Sequence, residues 1–121
     1  MIMAFTSTGP NWESQLDPRF GRAPYFLIYD DEQETLIPVD NHEATESAHG
    51  AGPQSVKRLL AFKPRVLISG NGPGGNAALA LRTADIAIFL CPEDFSVREA
   101  LAAYEAGALE PFLPDGGVTE Q

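Results

Sequence analysis

Apolar residues in this chain come in short blocks separated by polar, glycine-rich and proline-rich segments, and the blocks follow two periods. Ile2-Met3-Ala4-Phe5-Thr6-Ser7 is mostly apolar and is closed by Thr8-Gly9-Pro10, which predicts a short first strand followed by a loop over residues 8–18. Tyr25-Phe26-Leu27-Ile28-Tyr29 is an unbroken aromatic and β-branched run that fits a strand buried on both faces. After the polar turn Asp30-Asp31-Glu32-Gln33-Glu34 the chain returns as a strand from Thr35 to Val39, so these two strands form an antiparallel hairpin. Beyond a polar loop from Asp40 to Gly52, the period lengthens. Val56, Leu59, Leu60 and Lys63 share one side of a helix that starts at Pro53 and stops at Pro64. Arg65 to Ser69 reads as a buried strand, residues 76–83 as an alanine- and leucine-rich helix, and Ile86 to Leu90 as another buried strand. The last helix carries Val97, Ala100, Leu101 and Tyr104 as a stripe and ends at Gly107.

A hairpin followed by strand and helix units predicts an α/β fold with a five-stranded mixed sheet whose later strands are parallel, joined by right-handed crossovers. If the first strand points up, the second points down and the rest point up. Residues 8–18, 40–52, 70–75 and 91–95 then lie along one edge, joined by the Arg19–Arg22 segment that feeds the descending strand. Open α/β sheets bind ligands at this carboxyl edge.

At 121 residues the chain is long enough for one domain with a real core, expected over 1–109, with 110–121 as a flexible acidic tail. The net charge of -9 argues against a general nucleic-acid or anionic-membrane surface, so an anionic partner has to be held locally. One cysteine excludes an internal disulfide and suits a reducing cytoplasm. The start has no basic region followed by an apolar run, so no signal peptide is expected, and no stretch reaches the ~20 apolar residues that span a bilayer.

Two glycine-bearing segments open helices at the expected edge. In His49-Gly50-Ala51-Gly52-Pro53 small residues allow a sharp turn and close approach of the backbone to a bound group, and Pro53 is pre-set for a first helical turn. The amides that follow suit an anion, with His49 beside them as donor, ligand or cation; the plainer reading is a helix start with a polar cap. Gly70-Asn71-Gly72-Pro73-Gly74-Gly75 lacks the Lys and Ser/Thr of a phosphate-binding Walker loop and the setting of a dinucleotide fingerprint, leaving an anion cradle or a structural turn. Arg19 and Arg22 present donor forks suited to oxyanions or to the chain's many acids. Cys91, directly after a buried strand, is a core thiol or a ligand for a soft metal. His42 reads as a solvated loop residue. Asp30 and Asp31 lie at the far edge, so no carboxylate cluster of the two-metal kind is expected, and no serine-nucleophile signature is present.

Taken in order, Arg19-Phe20-Gly21-Arg22-Ala23-Pro24-Tyr25-Phe26, the Asn41 loop running to His49-Gly50-Ala51-Gly52, and Gly70-Asn71-Gly72-Pro73-Gly74 resemble the dinitrogenase iron-molybdenum cofactor biosynthesis family, over roughly residues 2–108. That family includes nitrogenase accessory carriers and the orange protein group. Gly74-Gly75-Asn76 departs from the pattern, since relatives commonly carry a lysine or another residue there. The resemblance implies a three-layer α/β/α fold of ribonuclease H-like topology and a non-catalytic role: holding a molybdenum- or iron-containing metal-sulfur cluster, or a precursor, for storage or for transfer between a donor and an acceptor protein. By position it places the family's motifs on Phe20, Gly21 and Arg22, on His49 and Gly50, and on the loop of Gly70, Asn71, Gly72 and Gly74; Arg19, Asn41 and Gly52 beside them complete the expected cluster site. His49 and Cys91 are the candidate metal ligands. The competing expectation is an adaptor or regulatory domain that binds a protein partner and uses its glycine loops only as turns.

Overall fold

Met3, Ala4 and Phe5 alternate across one strand, and each side of the sheet has its own core. In the computed structural model, which describes residues 1–45 and 51–112, the strands are β1 (Ile2–Ser7), β2 (Tyr25–Asp30), β3 (Thr35–Asp40), β4 (Val66–Ser69), β5 (Ala87–Leu90) and β6 (Glu110–Pro111). The helices are α1 (His42–Thr45), α2 (Ala51–Leu60), α3 (Gly75–Thr83) and α4 (Val97–Glu105). Ala4, Phe26, Ile28, Leu67 and Ile88 pack with Val56 and Leu59 of α2 and Ala77 and Leu81 of α3. Met3, Phe5, Leu27, Val66 and Ile68 pack with Leu16 and with Val97 and Ala100 of α4. The period-two alternation of β1 and β2 therefore feeds two helical layers, giving three layers in all.

The sheet is six-stranded and mixed, in the order β3-β2-β1-β4-β5-β6. β2 runs antiparallel to β1 and β3, and β4 and β5 run parallel to β1. The carboxyl ends of β1, β3, β4 and β5 consequently share one edge. The expected five strands become six because β6 pairs antiparallel with β5, Leu90 opposite Glu110 and Phe89 opposite Pro111. The start of the expected tail thus belongs to the sheet, and residues 113–121 lie outside the described residues. β6 is short and lies at the sheet edge, the position where a strand tolerates a proline such as Pro111.

α1 is a second departure from the expected loop. The Asp40 carboxylate accepts the His42 amide at 2.8 Å, which starts a four-residue helix. α2 begins at Ala51, ahead of Pro53, which the first turn tolerates because its amides lack intrahelical partners anyway. Lys63, expected on the helix face, lies beyond the helix end at φ 53°. At α4, Ser96 Oγ accepts the Glu99 amide (3.1 Å) and Glu99 accepts the Ser96 amide (2.8 Å), and Gly107 at φ 73° ends the turn. No helix among the described residues is long and apolar enough to cross a membrane.

Candidate functional site at the carboxyl edge

The loop after β1 is tied down rather than loose. It crosses the edge to α4, where Leu16 N–H donates to Phe95 C=O (3.0 Å) and the Val97 and Arg98 amides donate to Ser14 and Trp12 carbonyls (2.9 and 3.0 Å). Trp12 also stacks edge-on against Tyr29 and under Arg98. Beneath it, the buried Thr6 hydroxyl donates to Asp17 C=O at 2.7 Å and lies 3.3 Å from Ser69 Oγ, linking the ends of β1 and β4. Asn71 N–H then donates to Pro18 C=O at 3.0 Å. An alanine Cβ at Gly70 would sit 2.6 Å from Pro18 Cα, so the second glycine loop and the first loop touch backbone to backbone.

Several sequence-derived site residues turn out to support this edge rather than face out of it. Phe20 is buried in the α2–α3 core against Phe26, which removes it as a ligand contact. Asn41 is fully buried at the end of β3. Its Nδ2 donates to Ala23 C=O (2.9 Å) and Ser55 Oγ (3.0 Å), while its Oδ1 accepts from Arg58 Nη1 (3.0 Å). With every polar atom used inside the protein, Asn41 pins the start of α2 to the β2 entry and has nothing left for a cofactor. Ser55, in turn, donates to Gly21 C=O at 3.3 Å. Arg19 holds the buried Asp17 carboxylate through Nε and Nη2, both at 3.0 Å, which raises the guanidinium's already high pKa and commits its fork to that acid. Arg22 is exposed.

Cys91 is the clearest correction among the candidate ligands. It is 2 % exposed and sits in the α4-side core, on the opposite sheet face from α2 and α3. Burial first, then Asp94 and Glu99, push its thiol up to about 11, so in the free protein it stays protonated at neutral pH. The other candidate ligand, His49, lies with Gly50 outside the described residues. Among the described residues no three His, Cys, Asp or Glu side chains are grouped so as to hold a metal ion.

The described part of the edge brings two helix starts together. An alanine Cβ at Gly52, in the first turn of α2, would lie 3.8 Å from Ala77 Cβ, in the first turn of α3. α3 has no side-chain cap: its N-cap is Gly74 at φ -63° and ψ 165°. Nothing lies within 4 Å of where a Cβ would sit on Gly74 or Gly75. The first-turn amides of α3 lack intrahelical acceptors, and each helix adds partial positive charge at this end. Below the starts, an apolar groove of about 310 Å³ runs between the helices past Val56, Leu60 and Ala77. Lys57 borders both this groove and a polar hollow of about 510 Å³ that it shares with Glu43, Gln54 and Arg58.

Sequence reading missed Ser55 and Arg58. The available signal was a serine on the apolar side of α2, beside Val56 and Leu59, where a polar group needs a buried partner.

Comparison with known proteins adds a family and a fold. The sequence model described as Dinitrogenase iron-molybdenum cofactor matches residues 1–107. Among solved structures, the apo form of the orange protein from Desulfovibrio gigas is similar at 31% identity and TM-score 0.84, covering 93% of this chain and 96% of that one. A putative NifB protein from Thermotoga, whose structure was determined by NMR, is similar at 34% identity and TM-score 0.79, covering 91% of each chain. No curated protein matches the chain.

Proposed function

Because the chain belongs to the dinitrogenase iron-molybdenum cofactor family, we propose that it is a small non-catalytic carrier or store for an anionic metal-sulfur cluster containing molybdenum or iron, or for a precursor of one. The cluster is cargo, received from one protein and passed to another in a reducing cytoplasm. The observation that carries this reading is the meeting of two helix first turns, α2 at Gly52 and α3, which has no side-chain cap, at Gly74–Gly75, on the edge where the sheet's parallel strands end. The order β3-β2-β1-β4-β5, with β2 opposed to the other four, supports a ribonuclease H-like topology beneath that site.

Thiometallate sulfurs already satisfy the metal, so the protein has only to complement charge and accept the cluster's bulk. A hydrogen bond to a charged acceptor contributes about 1.5–3 kcal/mol, and two helix starts offer several such donors. The net charge of -9 opposes an incoming anion. That opposition is screened beyond about 8 Å at physiological ionic strength, whereas amides in contact are not. The sequence supplies Arg22 and His49 as cations for this pocket, whereas Arg19 is committed to Asp17.

Gly74→Asp tests the reading while sparing the fold. The backbone at Gly74 suits any residue, and its Cβ would enter open space. An aspartate there caps α3, occupying the amides that the cargo needs and adding a negative charge. The expected result is an unchanged or slightly raised melting temperature and at least about tenfold weaker binding of tetrathiomolybdate, about 1.4 kcal/mol. Equal affinity in both proteins would remove α3 from the site. Saturable capture of a protein partner by a chain that takes up no thiomolybdate would favour the adaptor reading instead.

A further inference from the structure

The second glycine loop is held from two sides, and one of the two holds comes from beyond the residues that the family model matches, 1–107. On the inner side, Gly70 is pressed against Pro18. On the outer side, an alanine Cβ at Gly72 would come within 2.3 Å of Phe112 Cε1 and 2.4 Å of Cζ, so the ring occupies the space a side chain at position 72 would need. Phe112 is itself fixed. Its amide donates to Ile88 C=O at 2.7 Å, the preceding β6 residues pair with β5, and its ring packs against the α2–α3 core. Past Gly72 the chain reaches Gly74 and Gly75, where nothing lies within 4 Å of a Cβ position. The start of α3 is thus held on its far side by the buried Ala77 and Ala78 and on its near side by the loop, where the buried Pro73 follows the contact between Phe112 and Gly72.

We infer that Phe112 is a positioning residue of the proposed cluster site: it clamps Gly72 and so aims the start of α3. This rests on the carrier reading for its functional consequence, though the clamp itself is a property of the free protein. Removing the ring frees Gly72 to move while Gly70 stays fixed on Pro18. Placing a methyl group on Gly72 displaces the ring and gives the same result from the other side.

The test uses full-length protein and two readouts, backbone order parameters by ¹⁵N relaxation and tetrathiomolybdate titration. In Phe112→Ala, order parameters at Gly72, Gly74 and Gly75 are expected to fall from about 0.85 towards 0.6, while those of Ile68 and Leu81 hold. Thiomolybdate affinity falls about tenfold, Phe112→Leu recovers most of both, and adding Gly72→Ala to Phe112→Ala changes neither further. Unchanged order at the three glycines, a loss spread equally over Ile68 and Leu81, or full affinity with a loosened loop would each overturn the inference. If the unaltered protein takes up no thiomolybdate, the carrier reading fails and the order parameters alone decide the clamp.

Discussion

Gly70→Ala is expected to lower the melting temperature by roughly 10 °C, the largest effect of any single methyl group at this edge. The new Cβ would lie 2.6 Å from Pro18 Cα and 3.2 Å from Pro18 N, and these are backbone atoms that cannot rotate away. Either the loop carrying Asp17 and Pro18 or the end of β4 has to move. Movement breaks the Asn71 N–H to Pro18 C=O bond and disturbs the Thr6 hydroxyl's bond to Asp17 C=O. Overpacking of this kind costs typically 1–3 kcal/mol and each lost hydrogen bond about 1 kcal/mol more, so a total of about 3 kcal/mol is expected. A thermal melt followed by circular dichroism reads it directly. A shift under about 3 °C would mean that the two loops are not in backbone contact.

Asn41→Ala is expected to cost about 3 kcal/mol in urea unfolding, although Asn41 belongs to no apolar core. Its side chain joins the end of β3 to two other segments, through Ala23 before β2 and through Ser55 and Arg58, one turn apart in α2. Truncation leaves the buried Ala23 carbonyl without this donor and removes the Oδ1 that holds Arg58. Ser55→Ala alone is expected to cost about 1 kcal/mol, and the double variant less than the sum, because the two side chains share one bond. Additive costs would show that the Asn41–Ser55 bond contributes nothing in solution.

These two residues also show where the sequence is legible and where it is not. The mostly apolar stretch Ile2–Ser7 and the runs at 25–29, 65–69 and 86–90 mark strands, and the order of hairpin and strand–helix units gives the directions that place four loop segments on one edge. Elements too short to show a period are missed. α1 rests on the Asp40 cap, and β6 rests on the pairing of Glu110 and Pro111 with β5 and the anchoring of Phe112. Within the site, residue type points to a polar or cationic role but does not say whether that role faces inward. Arg19 looks like an anion donor until Asp17 is found buried beneath it, and Asn41 looks like a loop asparagine until its partners come from α2 and the stretch before β2. Burial is a tertiary property, and neither spacing nor composition reveals it. Cys91 follows the same rule: the end of β5 puts it at the right edge, but its side chain turns to the α4 face.

The central claim is that the starts of α2 and α3 form one anion-binding rim. It is tested most directly by titrating ¹⁵N-labelled protein with tetrathiomolybdate under anaerobic conditions and following the amides of Gly52, Gly75, Asn76 and Ala77. The account predicts that all four shift together and saturate with a single dissociation constant. Shifts confined to one helix start, or saturable shifts around Cys91 with these four amides unmoved, would contradict it.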